Sequence, residues 1–203
     1  MQFDFMKLTR EFYLEDGVAL GEKLIGKVLV HESLEGITKG IIVETEAYMG
    51  DIDDAAHSYK GKKDGRTNIQ YGIGGFAYIY LIYGMHYCMN IVANKEERPE
   101  AVLIRALEPI EGLDIMKSRR NTDKIHNLCN GPGKLCQAMN INKNHYGIDL
   151  CGSTMYLEAS NDSNQPEVIA SKRINIDYAE QSKDNLWRFT LKDSKFISAK
   201  LRL

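Results

Sequence analysis

The sequence predicts an α+β fold: a single compact domain over residues 1–203, with a curved, mostly antiparallel sheet, flanking helices and a protruding β-hairpin. Three observations lead to this reading. Strand-like runs dominate, and only three segments carry helical periodicity. The length, 203 residues, suffices for one substantial core and demands no second domain. No internal repeat or low-complexity stretch divides the chain, and "ASNDSNQP" (159–166) reads as a polar loop rather than a linker.

Taken in order, "LEDGVALGEKLIG" (14–26) is helical, "KVLVHE" (27–32) is a strand, and "KGIIVETEAYM" (39–49), rich in β-branched residues, is the next. Residues 50–75 carry Gly, Asp, Asn and Lys with few large apolar side chains, which predicts a long loop with at most one short helix. Strands follow at 77–82 and 85–93, and the first half of "EAVLIRALEPIEG" (100–112) is a third. "EGLDIMKSRR" (111–120) and "GPGKLCQAMNI" (131–141) are helical, the latter with Pro132 near its start. "TMYLEA" (154–159), "KRINID" (172–177), "WRFTL" (187–191) and "KFISAK" (195–200) read as closing strands.

Hydrophobic residues at 43% and charged residues at 27% set aside disordered, collagen-like and coiled-coil classes. Four cysteines without a Cys-x-x-Cys pair make neither a disulfide scaffold nor a structural zinc site, and free thiols fit a reducing, cytoplasmic setting. The N-terminus mixes acids and bases too early for a secretory or transit signal, and no apolar run is long enough to suggest a membrane span. A net charge of −2 argues mildly against a protein that coats nucleic acid. Yet basic residues cluster in "YKGKKDGR" (59–66) and "KSRRNTDK" (117–124), away from the acidic "GDIDDAA" (50–56), so one face can still be positive.

Strand alternation in "VETEAY" places Glu44, Glu46 and Tyr48 on one face and Val43, Thr45 and Ala47 on the other. In a cleft, one of the two acids can serve as a general base; on an edge strand the same residues are simply a solvated face. Asp51, Asp53, Asp54 and His57 tempt a hard-cation reading, but they lack the spacing of a calcium loop, and no metal is expected. His57 is more simply a hydrogen-bonding residue at the bottom of a pocket. Tyr78 and Tyr80 share a strand face, and Tyr83-Gly84 falls where the chain can reverse, which makes Tyr83 a hairpin tip. Periodicity alone equally allows one continuous ribbon over 77–92. A tip aromatic beside basic loops suits a wedge between DNA bases, with Tyr48 and Tyr80 as stacking walls for an extruded base. Arg105, at a strand end, suits either a phosphate contact or a structural ion pair.

Four blocks, "VETEAYMGDIDDAAHS" (43–58), "AYIYLIYGMHYCMNIV" (77–92), "VLIRALEPIEGLDIM" (102–116) and "NGPGKLCQAMNI" (130–141), resemble in order and spacing the alkyladenine (3-methyladenine) DNA glycosylase family. The resemblance implies a monofunctional base-excision enzyme without cofactor that acts as a monomer on double-stranded DNA containing damaged purines. It would release 3-methyladenine, 7-methylguanine, hypoxanthine or ethenoadenine, without lyase chemistry. It implies Glu46 as the general base on the attacking water, Tyr48 and Tyr80 as the base sandwich, and His57 at the base and sugar-phosphate. It further implies Asn90 as the pocket-floor screen against guanine, Tyr83 as the intercalating plug and Arg105 as a phosphate contact. "RINI" (173–176) resembles a strand bordering the pocket, with Ile174 in it. The chain departs from the family pattern at His86, Tyr87 and Gln70, and its compactness matches bacterial, nucleoid-acting members. Two other readings are a glycoside hydrolase using Glu44 and Glu46 as a pair, and a non-catalytic nucleic-acid module with stacking tyrosines.

Overall fold

The computed structural model describes residues 5–160 and 166–200, so residues 161–165 of the polar loop lie outside it. A thirteen-residue strand organises the sheet: β3 (Gly36–Tyr48), preceded by β1 (Phe5–Lys7), α1 (Gly17–Lys23) and β2 (Val28–Ser33). After it come β4 (Ala77–Ile82), β5 (His86–Ala93), β6 (Glu100–Glu111), α2 (Leu113–Arg120), α3 (Pro132–Ala138), β7 (Met155–Ser160), β8 (Val168–Ser171) and β9 (Arg188–Leu191). The order is β1-β7-β2-β3-β6-β5-β4, with every pairing antiparallel. β3 changes neighbour along one edge: β2 pairs with its residues 36–41, and β9 with residues 44–46.

Two opposed irregularities bend the β3–β6 ladder. Between Ile42↔Leu107 and Glu44↔Ala106, β3 gains one residue, Val43; between Glu44↔Ala106 and Thr45↔Ile104, β6 gains one, Arg105. Such bulges kink a strand and re-aim its side chains. Here they reverse the alternation, so Ile42 enters the same core as Ala47, whereas Glu44 and Glu46 turn to the other face. Gly40, at a third register shift, lets the strands close up, since a Cβ there would lie 2.9 Å from that of Leu107.

In the main apolar cluster Leu20 of α1, Leu24 just after it, Met116 of α2 and Leu135 of α3 meet Ile42, Met89, Ile91, Ile104 and Leu107 of the sheet. Each such side chain contributes about 1.5–3 kcal/mol by leaving water. The first helix is shorter than its apolar pattern because the Asp16 side chain accepts from the Ala19 N–H and fixes its start. β6 runs the full length of 100–111, where only its first half is expected, because β3 beside it offers partners from Tyr48 to Lys39. The 50–75 loop holds three short 3-10 turns rather than one helix at most.

Two expected strands are absent. Residues 172–177 and 195–200 are irregular, and for the same reason: their donors go to buried carboxylates instead of a neighbouring strand. The Ile174 N–H donates to Glu46 and the Ser198 N–H to Glu44. No helix among the described residues is long and apolar enough to cross a membrane.

Candidate active site

Glu44 and Glu46 are not on a solvated edge: both lie fully buried on a central strand. One Glu46 oxygen accepts from the Ile174 N–H at 2.7 Å; the other accepts from the Tyr48 hydroxyl at 3.0 Å and from Arg105 Nη1 at 3.1 Å. Burial raises the Glu46 carboxyl above its ordinary range, although Arg105 and both hydrogen-bond donors favour the ionised form. Arg105 sits in mid-strand, and its Nε reaches Glu44 at 3.0 Å. Of the two readings of this arginine, its placement is that of a buried ion pair.

Above Glu46 opens a cavity of about 500 Å³. Tyr48, Arg105 and Ile174 line it, and each donates a hydrogen bond to the buried Glu46 carboxylate. His57, Tyr78, Tyr80, Asn90, Arg66 and Tyr83 line it as well, so every expected site residue except Glu46 itself reaches this one space. Among the described residues no Asp, Glu or Lys lines it. Glu44, held by two arginines, supplies no second acid, which removes the basis of the two-carboxylate glycosidase reading.

The walls are mutually fixed. His57 Nδ1 lies 2.8 Å from the Tyr78 hydroxyl, and its ring meets Tyr80 edge-on at 4.7 Å. Burial, aided by Arg66 and Lys62, pushes the His57 pKa down to about 4, so the ring is neutral at physiological pH. Tyr78 therefore positions His57, beyond the packing role that alternation gives it. Asn90 Nδ2 donates to the Tyr78 carbonyl at 3.1 Å, which sets the amide on the pocket floor. Ile174 contributes through its backbone as much as its side chain.

The segment bearing Ile174 is anchored by Arg173, whose guanidinium grips Asp53 through two bonds of 2.6 and 2.9 Å and lies over the rings of Tyr48 and Trp187. Burial would raise the Asp53 carboxyl, but Arg173 and Ser182 hold it below its ordinary range. Asp54 accepts from the backbone N–H groups of 180–182. These acids bind the protein to itself, and among the described residues no group of three or more His, Cys, Asp or Glu could hold a metal ion. Arg173 escapes sequence reading because its partner lies 120 residues away.

Tyr83 stands at the β4–β5 hairpin tip, 80% exposed. Its φ of 53° and the 68° of Gly84 give the two positive φ values of a type I′ turn. A bulky residue in the left-handed region is strained, and no packing compensates it, since Met85 and Leu81 beside it are exposed too. Arg66, exposed at the cavity mouth, is carried by a tight turn in which Asp64 accepts from the N–H groups of Arg66 and Thr67, and the Tyr146 hydroxyl donates to the Arg66 carbonyl.

A family model described as methylpurine-DNA glycosylase matches residues 11–195. Similar proteins include one from Clostridium novyi, 50% identical over 202 residues, covering 96% of this chain and 99% of the relative. Another from Alkaliphilus oremlandii is 50% identical over 203 residues (96% and 100%), and one from Desulfitobacterium hafniense is 48% identical over 202 (96% and 99%). All three carry the name "Putative 3-methyladenine DNA glycosylase".

Proposed function

The chain belongs to the methylpurine-DNA glycosylase family, and from that premise we propose that it flips alkylated or deaminated purines out of double-stranded DNA and hydrolyses the N-glycosidic bond with a water activated by Glu46. The observation that carries the reading is the convergence of a buried, three-donor carboxylate with an aromatic cavity free of other acids.

In this mechanism the purine leaves with the electron pair of its C1′–N bond, water oxygen bonds to C1′, and Glu46 takes the water's proton. The carboxylate also stabilises the oxocarbenium character that the sugar gains as the bond stretches. Cationic lesions such as 3-methyladenine and 7-methylguanine leave with little acid assistance, and stacking between Tyr48 and Tyr80 adds a cation-π attraction for them. Hypoxanthine and ethenoadenine, being neutral, depend on hydrogen bonds to the leaving base, which neutral His57 would supply. Asn90 screens against guanine.

A cavity without lysine offers no amine for a Schiff base, so release of the base leaves an abasic site and an intact strand. Tyr83 fills the gap in the duplex. The flipped nucleotide's phosphate falls to Arg66 rather than to Arg105, because the Arg105 guanidinium is committed to Glu44 and Glu46 while Arg66 is exposed at the mouth. The test is a duplex with a single hypoxanthine or ethenoadenine, followed by alkaline cleavage, with 7-methylguanine release from alkylated DNA alongside. Alkali-dependent cleavage at the lesion, insensitive to EDTA, is the expected result. Binding without base release would favour the non-catalytic module instead.

A further inference from the structure

Two residues before Glu46 on β3, Glu44 receives the segment 194–200. The Ser198 N–H donates to one Glu44 oxygen at 2.5 Å, and the Ser198 hydroxyl to the other at 2.9 Å. That second oxygen also accepts from Arg188 Nε at 2.8 Å and Arg105 Nε at 3.0 Å. Arg188 in turn ties down the segment through the carbonyls of Ala199 at 2.7 Å and Lys200 at 3.4 Å. Each nitrogen of Arg105 thus has a different anchor: Nε on Glu44, Nη1 on Glu46 and Nη2 on the Ser198 hydroxyl at 3.3 Å.

We propose that Ser198 and Glu44 are positioning residues for the reaction: through Arg105 they hold the charge and the orientation of Glu46. The proposal rests on Glu46 being the base. None of Glu44, Arg188 and Ser198 lines the cavity, so each acts through Arg105, which does. Two acids and two arginines leave this buried group with no net charge, and the four donors on Glu44 fix it on both oxygens. The bulge explains why the arrangement is possible: only as the extra residue of β6 does Arg105 lie between the two acids.

The two positioning residues should move the chemistry in opposite directions. The groups that face Glu46 are Arg105 on β6, Tyr48 and Glu44 on β3, Tyr80 on β4, Cys88 on β5, and Arg173 and Tyr178 in the segment after β8. Ser198→Ala loosens Arg105, weakens its hold on the Glu46 anion and shifts the acidic limb of the pH–rate profile to higher pH. Glu44→Gln removes the acid that competes for Arg105, so the limb moves to lower pH.

Single-turnover excision from a hypoxanthine duplex, measured from pH 5 to 8 on the full chain, reads both. Ser198→Ala should lose about 10- to 100-fold in rate, as expected for a misplaced catalytic group, with lesion binding unchanged. Ser198→Thr, which keeps the hydroxyl, should restore it. An unmoved rate and limb in Ser198→Ala, or losses in melting temperature and binding alone, would overturn the proposal. Should Glu44→Gln fail to fold, the Ala and Thr variants still decide. Undiminished excision by Glu46→Gln would instead sink the Glu46 reading itself, so the two failures are distinguishable.

Discussion

The floor of the site and the tip of its hairpin are built on opposite principles. Beneath the cavity, Glu44, Glu46, Asp53, Arg105, Arg173 and Arg188 are paired until each charge is answered. At the tip, Tyr83 stands in water with strained backbone and exposed neighbours. A group that must keep one geometry through the reaction is over-determined by its surroundings. A group that must find its partner outside the molecule is left unsatisfied within it.

Substitutions can break this contrast at either end. The largest effect belongs to the floor: Glu46→Gln should cut excision by roughly 10²- to 10⁴-fold, the range typical of a lost general base, while a gel-shift assay still registers lesion binding. In the proposed mechanism, activity requires ionised Glu46. Because burial raises that pKa, the rate should fall with decreasing pH through a point above the usual carboxylate range, as a pH–rate profile would register. A limb at or below that range would show Arg105 prevailing over burial.

Next comes Arg173→Met, which leaves Asp53 buried and unpaired. Breaking such a pair costs about 3–5 kcal/mol, so thermal denaturation should report a melting temperature lower by about 6–20 °C. A smaller fall would mean that Ser182 and the N–H groups of Met49 and Ala55 suffice to hold Asp53. At the tip, Tyr83→Ser should slow excision about tenfold from a duplex, a part of the few kcal/mol that unstacking demands, and far less from an unpaired lesion. Equal losses on both substrates would count against the wedge. The smallest effect sharpens the contrast most: Tyr83→Asn, which suits the left-handed region, should raise stability by about 0.5–1 kcal/mol and the melting temperature by about 1–4 °C, while excision falls.

What the sequence reveals follows the same division. Faces set by local alternation are legible: Glu46 with Tyr48 on β3 and Tyr78 with Tyr80 on β4 follow from period two, whereas the Tyr83-Gly84 reversal, one of two readings that periodicity allows, is the one the structure adopts. The assignment of chemistry to them comes from the resemblance. Arg105, expected at a strand end, lies in mid-strand as the extra residue of β6, and no pattern within one strand announces such a bulge. The segments 172–177 and 195–200 look like strands from their apolar residues, yet each gives a backbone donor to a carboxylate more than a hundred residues away. Donors recruited over such distances leave no periodic trace.

The stack of Tyr48, Arg173 and Trp187 has one more consequence. Arg173 lies 4.7 Å from one ring and 5.0 Å from the other, and Trp187 is the chain's single tryptophan. The protein therefore carries one indole emitter, coupled through a cation to the wall of its own cavity. Any ligand that displaces Tyr48 should shift the emission of Trp187, a native optical signal of occupancy that needs no label on either partner.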